Sequence, residues 1–237
     1  MSVARVLWGG IGVVATVAAI GAVPAAPAGA STSPAQAVSA ALSGAQKQSS
    51  VRWASSVTTQ GITNTIVTQA GRSQGSQLIT WSEGKNAAYL AIELVNGVGY
   101  MTGTAGGLYA EGFTQTAAAS EAGKWISLTS SSSAYASTVS GLTIATTMEQ
   151  MQMAGPVTSV PAVTISGHRY PGYKGTTKPY QGGPALQETI YLSTTATPLP
   201  VKAVQDTSTV VFGDWGEAVK VSVPKGAVAV QSGWLRK

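Results

Sequence analysis

The sequence has no cysteine, one histidine and two phenylalanines, and only 10% of its 237 residues are charged. Without cysteine there is no disulfide, no thiolate metal site and no cysteine at which a lipid could be attached, so stability must come from a packed core. A single histidine with no clustered carboxylates cannot assemble a usual zinc site, and no metal or cofactor is expected. The nine acidic residues are dispersed, Asp214 and Glu217 being the closest two, so no carboxylate pair of the glycosidase kind stands out. The net charge is +5, but the basic residues are scattered. That excludes the concentrated basic stripe of a nucleic-acid groove and leaves at most mild attraction to anionic envelope surfaces. Beyond the first 30 residues no apolar run is long enough to span a bilayer.

The N-terminus is different. One positive charge at Arg5 precedes the uncharged apolar run Val6 to Val23, which leads into Pro24-Ala25-Ala26-Pro27-Ala28-Gly29-Ala30. Charge, apolar segment and small residues in that order make a secretory signal with an A-x-A site at Ala28 and Ala30. Residues 1–30 are therefore expected to be a signal peptide, and 31–237 a single mature domain that is extracytoplasmic and not lipid-anchored. Left uncut, the same run could act as an N-terminal anchor.

In the mature chain, Ser33-Pro34 followed by an alanine-rich stretch is a helix start, with Val38, Ala41, Leu42 and Ala45 on one face. From Ser50 the apolar period shortens to two. Strands are expected at Val51 to Val57, Ile62 to Thr68, Gln77 to Trp81, Ala87 to Val95 and Val98 to Thr102, separated by turns such as Gln60-Gly61 and Asn96-Gly97. In the fourth of these, Leu90, Ile92 and Leu94 point one way and Tyr89, Ala91 and Glu93 the other. Between Ala105 and Met153 an Ala/Ser/Thr-rich block predicts short helices, and Leu142, Ile144, Met148 and Met151 recur there at near-helical spacing. Strands resume at Val157 to Ile165, His168 to Lys174, Leu186 to Leu192, Val201 to Asp206, Thr209 to Phe212 and Ala218 to Val223. Two antiparallel meanders flanking a helical insertion make an α+β domain.

Catalytic patterns are sparse. Gly71-Arg72-Ser73-Gln74-Gly75 has the spacing of a serine-hydrolase elbow, which would make Ser73 a nucleophile. An elbow must open a helix, however, and Ser76-Gln77-Leu78-Ile79-Thr80-Trp81 reads as a strand, so a polar hairpin turn is expected instead. The one histidine, His168, precedes both aspartates, against the hydrolase order of serine, acid, histidine. Gly97-Val98-Gly99-Tyr100-Met101-Thr102-Gly103 has one residue too many for a phosphate-binding glycine loop. No catalytic residue is assigned. Met148, Met151 and Met153 are soft side chains that either pack the insertion on the sheet or line an adaptable apolar cleft.

Toward the C-terminus, Phe212-Gly213-Asp214-Trp215-Gly216-Glu217-Ala218-Val219-Lys220-Val221-Ser222-Val223-Pro224 resembles the closing hairpin of the actinobacterial LprG/LppX envelope lipoproteins, relatives in fold of the LolA and LolB carriers. The step Gly123-Lys124-Trp125 and the order of elements are similar too. The resemblance implies a strongly curved antiparallel sheet, a half-barrel, whose concave face is covered by helices around an apolar cavity that accepts acyl chains. It implies a non-catalytic, monomeric binder or carrier of lipid or glycolipid that meets membrane surfaces transiently. This chain lacks the lipobox cysteine of those proteins, which points to a freely diffusing or loosely wall-associated form. Pattern nominates Leu90, Ile92 and Leu94 on the sheet and Leu142, Ile144, Met148 and Met151 on the insertion as lipid-contacting residues. The alternatives are an envelope interaction protein with a filled core and, further off, a hydrolase using Ser73.

Overall fold

The computed structural model describes residues 32–84, 86–205 and 208–236. The expected signal segment, with Ala28 and Ala30, lies outside them. The first element, α1 (Pro34–Gln46), starts where its sequence requires. Ser33 caps it, its hydroxyl accepting from the Gln36 N–H while the Gln36 side chain accepts from the Ser33 N–H at 2.9 Å. Val38, Ala41, Leu42 and Ala45 form its buried stripe.

Five strands follow as a meander: β1 (Ser50–Thr59), β2 (Ile62–Gly71), β3 (Gly75–Glu83), β4 (Asn86–Val95) and β5 (Val98–Gly103). The turns Gln60-Gly61 and Asn96-Gly97 have positive φ at both residues, the geometry that suits the twist of two-residue hairpins. The insertion contributes α2 (Ala105–Ala110), α3 (Gln115–Glu121), β6 (Ile126–Leu128), α4 (Tyr135–Thr138) and α5 (Ile144–Gln150). A second meander runs through β7 (Met153–Ile165), β8 (His168–Thr177), β9 (Gln187–Leu192), β10 (Pro200–Gln205) and β11 (Ser208–Gly213), and β12 (Val228–Ala229) is the last element among the described residues.

The twelve strands of the described residues form one open, curled sheet in the order β12-β6-β5-β4-β3-β2-β1-β11-β10-β9-β8-β7. Each meander zips between sequence neighbours, and the two are joined at one seam, where Trp53 of β1 stands opposite Phe212 of β11. The pairs are antiparallel except β6 with β12, which is parallel. This is an α+β half-barrel with helices over its concave face. Alternation decides which side chains enter the core: Leu90, Ile92 and Leu94 are buried, whereas Tyr89 is 39% exposed on the convex side. Among the described residues β7 is an edge strand of the sheet, and its Pro156 and Pro161, which carry no N–H, fall where its pairing with β8 shifts register.

Two expectations fail. Ala218 to Val223 alternates like a strand but forms none. It belongs to a strap across the end of the sheet, fastened where Gly216 N–H donates to Ser50 O at 2.9 Å and the Gln74 side chain donates to Val219 O at 3.0 Å. The insertion, read as helical, also supplies β6, which extends the sheet beyond β5. The strap then pairs beside β6 and ends with Trp234 against the fully buried Phe113, ring centroids 6.5 Å apart.

Candidate functional site: a groove between the first helix and the sheet edge

On the concave face, α1 packs over β7, β9 and β10 and against α5. Its C-terminal half sits tight on the β9–β10 connection: a β-carbon on Gly44 would lie 3.1 Å from Thr197 Cγ2. Along its length, from Ala35 to Gln46, another face of the helix leaves a groove of about 270 Å³ between itself and β7. Val38 and Leu42 from the helix and Met153 and Val157 from the strand supply its apolar lining, and Ser39, Ser43, Gln46, Gln152 and Lys178 its polar rim. At the rim, Lys178 Nζ donates to Gln152 Oε1 at 3.1 Å. The lining is mixed, somewhat more polar than apolar, which offers contacts to both parts of an amphiphile.

The sheet beneath the groove departs from ordinary core chemistry. In β9, Glu188 is in phase with Ile190 and Leu192, so its side chain faces the concave side, and it is 1% exposed. Opposite it on β8 stands Gly175, and the missing side chain there gives room to the groove residues Met153 and Val157. A β-carbon on Gly175 would meet Met153 Sδ at 2.7 Å and Val157 Cγ2 at 3.3 Å. Neither oxygen of Glu188 has a hydrogen-bond partner among the described residues. Burial pushes its carboxyl up to about 8. Gln205 on β10, 4% exposed, is likewise without a partner at both side-chain polar atoms among the described residues.

The residues nominated from sequence all lie in one core cluster: Leu90, Ile92 and Leu94 from β4, Leu142 and Ile144 around the start of α5, and Met148 and Met151 at its end. Each is 5% exposed or less. They share that cluster, but none lines the groove; of Met148, Met151 and Met153 only Met153 does. Val38 and Leu42 were legible as the buried face of a helix and not as a ligand wall. Glu188 left a signal that sequence reading passed over, a carboxylate on the apolar phase of a strand.

Ser73 is exposed in the β2–β3 hairpin turn and opens no helix. His168 is exposed at the start of β8, and β1, β11, β10 and β9 stand between the strand after which Ser73 turns and the one His168 begins. The two glycines of the elbow-like motif have a packing role: Gly71 bridges to Thr143, and Gly75 abuts the Leu142 carbonyl.

No protein-family model and no curated protein matches the chain. Among solved structures it is similar to LprF from Mycobacterium bovis, at a TM-score of 0.50 and 14% identity, over 81% of this chain and 97% of that one. It is also similar to the lipoprotein LppX of Mycobacterium tuberculosis, at a TM-score of 0.49 and 12% identity, over 80% of this chain and 98% of that one. The likeness to LprF is one of fold: the chain has the LprG/LppX-like, LolA-like half-barrel that its C-terminal residues implied.

Proposed function

We propose that this protein is a secreted, non-catalytic binder or carrier of lipid or glycolipid acyl chains in the bacterial cell envelope, acting as a monomer that touches membrane surfaces transiently. The observation that supports this reading best is the groove of about 270 Å³ between α1 and β7, where Val38, Leu42, Met153 and Val157 lie among polar side chains. It lies just below the roughly 300–1,000 Å³ of small-molecule pockets. That suits a segment of one acyl chain, and α1 would have to lift from the sheet to admit more. Ten buried methylenes contribute about 8 kcal/mol, of which association takes about 4 kcal/mol or more, so cargo held in this groove alone is readily released.

The test places a large side chain in the groove without touching the core. Ser39 is exposed on α1 and lines the groove. Ser39→Trp should weaken binding of a fluorescent fatty acid at least tenfold and leave the melting temperature within a few degrees, while native mass spectrometry of the unaltered protein from its own host should show acyl-chain adducts. A clean mass and no uptake of the fatty acid would count against lipid binding.

One observation favours a second reading. The side of the concave face under α2 and α5 is densely filled, with Leu90, Met101, Leu108 and Met148 all at 0% exposure. A protein filled throughout would act through its surface, as an envelope interaction module, and absence of fatty-acid uptake by the unaltered protein would favour that role.

A further inference from the structure

Three neighbouring strands place polar residues on the concave face along a single row. Gln205 of β10 pairs with Ser208 of β11, and one step beyond the Val204–Thr189 pair the same register sets Gln205 beside Glu188 of β9. The adjacent row of the same three strands is Ile190, Ala203 and Val210, all buried and apolar. The polar row thus interrupts an apolar surface, and it does so next to Gly175, where Met153 and Val157 of the groove lean over the sheet.

Four side-chain polar atoms in this row, both oxygens of Glu188 and both polar atoms of Gln205, have no hydrogen-bond partner among the described residues. An unpaired buried polar group is costly, and proteins retain such groups where something else satisfies them. Ser208 has a partner, Ser55 Oγ at 3.4 Å. The unmet capacity therefore belongs to Glu188 and Gln205 alone.

We infer that Glu188 and Gln205 form a polar contact site, inside the acyl-binding face and behind the groove, for the hydroxyl-bearing head of an amphiphile such as a glycerol or sugar group. This inference rests on the acyl-binding reading and adds the chemistry of the ligand's polar end. The burial-raised carboxyl of Glu188 keeps its proton at neutral pH, so it offers one O–H donor as well as acceptors. Gln205 offers an N–H₂ and a carbonyl. A hydroxyl, which both donates and accepts, complements that pair. The methyl ester of a fatty acid, with no donor, leaves the Glu188 and Gln205 acceptors unmet.

The experiment compares a monoacylglycerol with the methyl ester of the same fatty acid as competitors for a fluorescent acyl probe on the full chain. The unaltered protein should favour the monoacylglycerol about tenfold, as two modest hydrogen bonds allow. Glu188→Leu should bring the ratio close to one, Glu188→Gln should retain the preference, and Gln205→Leu should reduce it from the neighbouring strand. Equal binding of both ligands by the unaltered protein, or a preference that survives Glu188→Leu, overturns the polar site and leaves acyl binding standing. A free fatty acid that outcompetes the monoacylglycerol overturns the hydroxyl assignment. If neither amphiphile binds, acyl binding falls and this site with it.

Discussion

The backbone of Gly75 lies so close to the carbonyl oxygen of Leu142 that no β-carbon fits between them. The β2–β3 hairpin is held there against the residues that open α5, through the bridge between Gly71 and Thr143. Gly75→Ala should therefore cost about 2 kcal/mol or more, since backbone and not a pliable side chain has to move, whereas Ser73→Ala in the same turn should stay within about 0.5 kcal/mol. Urea unfolding of the two variants checks both values.

Stability should depend on pH through Glu188. The folded chain holds the carboxyl proton up to about pH 8, and the unfolded chain releases it near 4.5. Between those values the folded state binds more protons, so stability falls as pH rises through the window and is level outside it. Melting temperatures from pH 4 to 9 should show that decline. Glu188→Gln should flatten it and be the more stable protein at the alkaline end; equal slopes would mean that the carboxyl is not buried as described.

The strap depends on its last aromatic residue. Trp234 packs on Phe113, and its backbone carbonyl accepts from Thr114 N–H at 2.8 Å. Trp234→Ala should lower stability by about 2–3 kcal/mol, below the full cost of a wholly buried tryptophan because Trp234 keeps some exposure. Hydrogen exchange should then quicken first in β12 and β6, whose pairing the strap supplies.

The Asp214-Trp215-Gly216 turn should owe its stability to backbone shape more than to charge. Arg52 and Asp214 approach to 3.8 Å with side chains about half exposed, so Arg52→Ala should cost less than about 1 kcal/mol. Asp214 has a φ of 50°, which alanine adopts poorly and glycine freely. Asp214→Ala should be less stable than Asp214→Gly by about 1 kcal/mol, measurable by thermal unfolding at high salt, where the ion pair no longer contributes.

The fold was legible wherever a segment's alternation coincided with a neighbour to pair with. β1 to β5 and β7 to β11 appear close to their expected bounds, because Asn96-Gly97 and its counterparts set the register and residues such as Leu90 and Ile92 demanded a core. Val219-Lys220-Val221-Ser222-Val223 alternates just as plainly and failed, because β1 is already paired on both sides by β2 and β11. The seven nominated residues were legible as buried, since periodicity reports burial. Periodicity does not report whether the neighbouring space is filled. The groove depends on which distant segment ends at the sheet's edge, and so joins residues near 38 to residues near 157 that no local pattern connects.

The seam between β1 and β11 also sets the order of assembly. Every other antiparallel pair joins strands adjacent along the chain or linked by the insertion, but Trp53 and Phe212 meet only after the intervening polypeptide has been brought back on itself. Closing so long a loop is entropically expensive and slow. The two meanders should zip early and separately, and the closed half-barrel should form late, once β11 has been made. Substitutions at Phe212 should then alter the rate of folding, while those in the Gln60-Gly61 turn act within a unit already formed. Until the seam shuts, the sheet edges of both halves stand open, which makes this interval the one in which the chain is most exposed to aggregation and proteolysis.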